Sequence, residues 1–210
     1  AIWAAARMVP LPSDGHLFRE QALKPAAIHG AEARLHSRRT EPAGTLSITA
    51  PVMFGHLHLT PLLNQWLKQH PHMRADLTLL DRVTDLLEEG FDLALRIGHL
   101  ADSSLIARPL GHTGYVLCAS PELLNNAASQ TTQDLADWPT VCFAPAGSTW
   151  HFQVAGKPWS QRTDPIIRAN QADTQLAAAR DGLCLCRVLS YQAQQDFERG
   201  TLVPLPTDYN

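Results

Sequence analysis

The chain has 210 residues, 45% of them apolar, and a formal net charge of −3. That length and apolar content can bury the core of one large domain or of two small ones. The acidic balance excludes a chain that is a nucleic-acid-binding body throughout, and no run approaches the roughly 18 apolar residues of a membrane-spanning helix. Charge is unevenly placed, +2 over residues 1–43 and −5 over the remainder. Cys118, Cys142, Cys184 and Cys186 match neither a zinc-ligand spacing nor a small disulfide scaffold. They read as small buried apolar side chains in a reducing compartment. Residues 1–8 lack the apolar stretch of a secretion signal, so a cytoplasmic chain is expected.

Residues 1–10 carry no periodic pattern. Ser13 or Asp14 can cap a helix in which Phe18, Ala22, Ile28, Ala31 and Leu35 recur at near-helical spacing. Pro25 and Gly30 interrupt it, at costs of about 3 and about 1 kcal/mol in a helix interior. Residues 38–44 read as a loop, and Arg34, His36, Arg38 and Arg39 offer at most nonspecific phosphate attraction. A strand over 46–50 then stops at Pro51, a helix covers 57–69, and a second strand spans 74–80. A short helix over 83–89 closes on Gly90, and a third strand over 92–97 ends at Gly98. Strands alternating with helices of this length predict a parallel, doubly wound sheet. Ligands of such sheets bind beyond the carboxyl ends of the strands, here Ala50-Pro51, Leu80-Asp81 and the turn from Arg96 to Gly98.

Residues 105–110 and 115–119 read as extended, and Thr132 caps a short helix through Ala136. Residues 141–143 form a buried strand; segments 150–154 and 159–161 flank Gly156-Lys157-Pro158 as a hairpin. A strand over 166–169, a helix over 170–181, a strand over 183–188, a helix over 190–198 and an extended piece over 201–205 complete the order.

Several of these runs carry a family resemblance. They are Gly44-Thr45-Leu46 through Ala50-Pro51-Val52-Met53-Phe54-Gly55, then Leu80-Asp81-Arg82-Val83-Thr84-Asp85-Leu86, then Glu89-Gly90-Phe91-Asp92-Leu93-Ala94-Leu95-Arg96-Ile97-Gly98. Asp102-Ser103-Ser104-Leu105, Ala107-Arg108-Pro109-Leu110, Gly182-Leu183, Arg187-Val188-Leu189-Ser190-Tyr191-Gln192 and Gly200-Thr201-Leu202-Val203 follow. In this order, over most of residues 11–205, the chain resembles the effector-binding domain of LysR-type transcriptional regulators. Leu11-Pro12-Ser13-Asp14-Gly15 resembles the end of the family's DNA-binding wing, where the linker helix begins.

The resemblance implies an α/β fold of two Rossmann-like lobes, similar to type II periplasmic binding proteins. Residues 1–43 would be a remnant of wing and linker helix, 44–118 an incomplete first lobe, 119–205 the second lobe, and 206–210 a truncated crossover tail. In the family, a further strand and helix return to complete the first lobe. The resemblance also implies a homo-oligomer, contact with DNA only through a helix–turn–helix absent from these residues, and a small-molecule effector held between the lobes. Position by position it selects Pro51, Val52, Leu80, Asp81, Arg96 and Gly98 from the first lobe. From the second it selects Phe143, Ala144, Pro145, Ala169 and Asn170.

Pro51 offers neither hydroxyl nor N–H to an anionic effector. Arg96 is the strong cation of the set, and it either pairs with an acidic effector or anchors Asp81 or Asp102 in a structural ion pair. An enzyme needs a nucleophile with a base, or a metal cluster, and neither a Gly-x-Ser-x-Gly elbow nor a His-Glu-x-x-His pattern occurs. His56 and His58 are too close to share a helix face, and Gly90 separates Glu88-Glu89 from Asp92. No metal and no cofactor is expected. The expected function is effector sensing for a LysR-type regulator. The alternatives are a free-standing solute-binding protein of the same fold and a non-functional truncated regulator.

Overall fold

The structure, a computed structural model, describes residues 1–6, 42–82, 89–98, 106–126, 135–154 and 157–205. They fall into two compact units. One takes the described residues of 1–51 and 55–111, the other those of 52–54 and 112–210, and each contains a five-stranded sheet.

The first unit contains β1 (Ile2–Ala6), β2 (Gly44–Ala50), β3 (Met73–Leu79), β4 (Leu93–Ile97) and β5 (Ile106–Gly111), in the order β3-β2-β4-β1-β5. β2 runs parallel to β3, from Gly44 opposite Met73 to Ala50 opposite Leu79, and parallel to β4 through Ile48 and Thr49. Its β-branched Thr45, Ile48 and Thr49 suit a pleated, half-covered surface, and Ile48, Thr49 and Ala50 are buried. Pro51 ends the strand. The chain then coils through a short turn, α1 (Val52–Phe54), a π-helical turn (Gly55–Leu59) and α2 (Thr60–Gln69). Pro61 sits in the first turn of α2, where its missing N–H costs no hydrogen bond. β3 lies at the sheet edge and alternates, with Arg74, Asp76 and Thr78 exposed and Met73, Ala75, Leu77 and Leu79 half-buried.

Two features of this sheet differ from the expectation. The parallel order holds for β3, β2 and β4, but β1 lies antiparallel to both β4 and β5. Residues 2–6, read from sequence as patternless and as part of a wing remnant, therefore stand inside the first unit's sheet. The reason is physical: a five-residue segment centred on alanines has no periodicity of its own, and hydrogen bonding on both flanks makes it a strand. Its Ala4 and Ala5 side chains are small enough to be buried, with Ala5 clustered against Phe91 and Ala94.

The second unit contains β6 (Tyr115–Ala119), α3 (Pro121–Asn126), β7 (Thr140–Phe143), β8 (Thr149–Val154) and β9 (Lys157–Arg162). β10 (Pro165–Ala169), α4 (Ala172–Arg180), β11 (Leu185–Leu189), α5 (Ser190–Arg199) and β12 (Val203–Pro204) complete it. The sheet order is β10-β7-β11-β6-β12, and β8 and β9 form a separate hairpin. β7 is parallel to β10 and β11, whereas β6 is antiparallel to β11 and β12. Because the ladder hydrogen bonds of β6 belong to this sheet, the division of the chain falls after Gly111 rather than after Cys118.

Two core clusters fill the second unit. One gathers Cys118, Val141, Leu176, Cys184, Cys186, Val188 and Leu202; the other centres on Leu117, Trp138, Trp150, Phe152 and Leu185. Asp196 in α5, only 4% exposed, is bound by Arg180 of α4 through Nε at 2.6 Å and a terminal nitrogen at 2.8 Å. Thr201 donates a third hydrogen bond to it at 2.7 Å.

The helix expected to start at Thr132 is a 3-10 turn over Leu135–Asp137, with 131–134 outside the described residues. The interrupted helix after Ser13, the arginines at 34–39, Asp102, Gly156 and all but the end of the helix expected over 83–89 also lie outside them. α3 escaped the sequence reading although its signal was present. Ser120 Oγ accepts the Leu123 N–H at 3.2 Å, and Pro121 opens the helix.

Candidate functional site

Each unit has its own set of strand-end residues. In the first, the parallel strands β3, β2 and β4 place Leu80-Asp81, Pro51 and Arg96 at their carboxyl ends. The Leu80 N–H donates to Ala50 O at 2.9 Å, which holds the end of β3 against that of β2. The Pro51 carbonyl accepts the Gly55 N–H at 2.7 Å and so begins the helical stretch. Pro51, Leu80, Asp81 and Arg96 are all half-buried.

The Arg96 guanidinium donates to Leu95 O at 2.9 Å and more weakly to Thr49 Oγ1 at 3.5 Å. Burial pushes its pKa down; nearby Glu89 opposes the shift and Arg82 adds to it. Arg82, beside Asp81, makes a two-pronged ion pair with Glu89 at 2.9 and 3.0 Å. This rim therefore carries two guanidiniums and at least the Glu89 carboxylate. Thr49, Arg82 and Glu89 were not in the sequence selection, although Arg82 and Glu89 flank the selected segments.

Gly98 is turned to another task. Its positive φ of 130° closes β4, its N–H donates to Ala1 O at 3.0 Å, and its carbonyl accepts from Trp3 Nε1 at 3.0 Å. Those contacts fasten β1. Val52 directly follows Pro51 but groups with the second unit, where its neighbour Met53 packs against the larger core cluster.

In the second unit, β7 and β10 are in register, with Ala169 opposite Phe143. The structure therefore brings Phe143, Ala144, Pro145, Ala169 and Asn170 to one edge of this sheet. After Phe143 the chain makes a 3-10 turn, Ala144–Ala146, ended by Gly147 at φ 76°. Ala144, Pro145 and Asn170 are exposed, Phe143 is half-buried and Ala169 is buried, so Ala169 contributes backbone rather than side chain. β11 adds a third carboxyl end that the sequence selection omitted. There the Ser190 hydroxyl lies 3.2 Å from that of Thr113, and the Ser190 N–H donates to Gly114 O at 2.8 Å. Further back on β11, the Arg187 guanidinium stacks 3.9 Å above the Tyr115 ring and donates to His151 O at 2.9 Å.

Among the described residues no group of three or more His, Cys, Asp or Glu side chains is placed to hold a metal ion. No helix among them is long and apolar enough to cross a membrane.

Two α/β units in one chain, each built on a five-stranded sheet with parallel strands at its centre, define the two-lobed architecture of periplasmic-binding-protein-like domains. The chain belongs to the LysR substrate binding domain family, whose profile matches residues 39–209. An uncharacterised HTH-type transcriptional regulator of Haemophilus influenzae is 31% identical over 169 residues, covering 79% of this chain and 59% of that protein. The uncharacterised HTH-type transcriptional regulator YhjC of Escherichia coli is 30% identical over 210 residues, 97% of this chain and 70% of that one. Among solved structures, the regulatory domain of CrgA, a LysR-type transcriptional regulator from Neisseria meningitidis, superposes with a TM-score of 0.68 at 29% identity, covering 78% of this chain and 81% of that one. The chain thus spans between about half and three quarters of the length of these two curated relatives. The matching profile is that of the domain family the sequence resembles.

Proposed function

We propose that this chain is the effector-sensing region of a cytoplasmic LysR-type transcriptional regulator and has no catalytic role. The observation that carries the reading is the coincidence of the family match over 39–209 with a set of residues at the carboxyl ends of parallel strands in each unit. The effector is a small molecule recognised by Pro51, Val52, Leu80, Asp81, Arg96 and Gly98 and by Phe143, Ala144, Pro145, Ala169 and Asn170. Within that set Arg96 supplies charge, Phe143 an apolar face and Asn170 an amide. Gly98 and Ala169 contribute shape, since one is tied to β1 and the other is buried. The effector controls a homo-oligomer on DNA by favouring one of its conformations; a ligand of equal affinity for both would shift nothing. DNA contact in this reading belongs to a helix–turn–helix of the regulator.

A thermal-shift screen of small metabolites, followed by calorimetry on each hit, tests the reading. Arg96→Ala and Phe143→Ala are each expected to weaken binding about ten-fold or more, the effect of losing about 1.5 kcal/mol. Circular dichroism melts confirm that both variants fold. If both bind every hit as the wild type does, the strand-end assignment is wrong.

A further inference from the structure

Cys118 of β6 and Cys186 of β11 stand directly opposite one another in the antiparallel ladder, and their Sγ atoms lie 3.3 Å apart. Both are fully buried and neither is in a disulfide. Opposed residues of an antiparallel pair have Cα atoms about 4.5–5.5 Å apart, inside the range of about 4.4–6.8 Å that a disulfide requires. A covalent bond between them therefore needs rotation about the side-chain bonds but no slip of either strand. The other two thiols are less well placed. Cys184 lies two residues before Cys186, just ahead of β11, and Cys142 belongs to β7 on the far side of β11.

We propose that Cys118 and Cys186 are an oxidative modification site, joined into a cross-strand disulfide by a two-electron oxidant of the peroxide class. One thiolate attacks a peroxide oxygen and the O–O bond breaks. The products are a sulfenic acid and a hydroxide, which takes up the proton released by the thiol to become water. The second thiol then attacks the sulfenic sulfur. The S–O bond breaks, and the departing hydroxide takes that thiol's proton as a second water. Each sulfur is oxidised by one electron, and the peroxide is reduced to two waters.

The site is slow by construction. Its contact with Cys118, and then its burial, hold the Cys186 thiol well above its ordinary pKa, so little thiolate exists in the closed state. Oxidation waits on local opening, and the adjoining sheet edge supplies a route. β12, which covers Cys118, is two residues long, and Pro204 opposite Cys118 has no N–H to give the ladder. The pair therefore answers sustained rather than momentary oxidation.

The test treats the native full chain with hydrogen peroxide, denatures it in iodoacetamide, and maps peptides by mass spectrometry without reduction. The expected result is two alkylated thiols, Cys142 and Cys184, with a linked peptide pair containing Cys118 and Cys186 that has lost two hydrogens. Dithiothreitol restores four alkylated thiols. Cys118→Ala and Cys186→Ala each abolish the link, although the wild-type map decides the matter even if a variant fails to fold. Four free thiols after prolonged native treatment, or a link through Cys142 or Cys184, overturn the proposal. So does a link that forms only in denaturant.

Discussion

Asp196 is almost completely buried, yet it keeps its charge because Arg180 and Thr201 together supply three donors. The Arg180 hydrogen bond is the largest influence holding its pKa below the usual carboxylate range, against the opposing effect of burial. Arg180 is partly open to water, its side chain 39% exposed, so the value of the pair is well below that of a fully buried one. Asp196→Asn keeps the shape but removes the charge. It is expected to cost about 2 kcal/mol of unfolding free energy at neutral pH, measured by urea denaturation. The sign follows from the lowered pKa. The contribution is fully present above the unfolded-state value of about 3.9 and is lost as pH falls through the lower folded value. The gap between wild type and variant should therefore persist at pH 5 and close only below about pH 4. A gap that closes between pH 7 and pH 5 would show that another group is responsible. In the sequence this residue is one more acid in a polar helix. Its partner lies 16 residues away on a different helix, so nothing local marked it.

The stretch from Pro51 to Gln69 shows the same limit at the scale of elements. Its apolar spacing predicted a helix from about Leu57, and α2 is there, but the π-helical turn over Gly55–Leu59 was not legible. That turn seats the backbone of Gly55 directly on Leu79 of β3. A Cβ at position 55 would overlap Leu79 Cδ2 and stand 3.1 Å from its Cγ. Gly55→Ala is expected to destabilise the chain by about 1–3 kcal/mol, since the Leu79 side chain must leave its place to admit a methyl group. Leu79→Ala in the same chain should recover part of that loss, a coupling of at least about 0.5 kcal/mol in a double-mutant cycle. Strictly additive effects would mean that the helix shifts freely and that the close approach is unimportant. β1 is the opposite case. Its alanines carry no period, and pairing on both flanks alone makes it a strand.

At the scale of the whole molecule, the described residues of the two units differ in how much apolar surface they exclude from water. The second has two large core clusters with four buried aromatic or aliphatic anchors in Trp138, Trp150, Leu176 and Leu185; the first has a small one of Ala5, Phe91 and Ala94. Local stability follows buried apolar contact, so the first unit should open first. Amide exchange followed by mass spectrometry is expected to be about ten-fold faster in β2 and β4 than in β7 and β11, equivalent to about 1.4 kcal/mol in opening free energy. Equal protection in both would show that the smaller core is compensated elsewhere in its unit. The sequence led to the expectation of an incomplete first lobe. The position beside β4 is in fact occupied by residues 2–6.

The sequence by itself determined the alternation of strands and helices, the family, and the strand-end positions Pro51, Asp81, Arg96, Phe143 and Asn170. Those depend on periodicity, on breakers such as Pro51, Gly90 and Gly98, and on short runs, all of which are local. Only the tertiary structure decided that β1 enters the first sheet, that β6 belongs to the second, and that Gly98 serves β1. It also decided that Cys118 meets Cys186, and that Asp196 meets Arg180. Each of these rests on the register between segments far apart in the chain. Register is chosen by the summed packing and hydrogen bonding of whole strands, a quantity that no local pattern encodes.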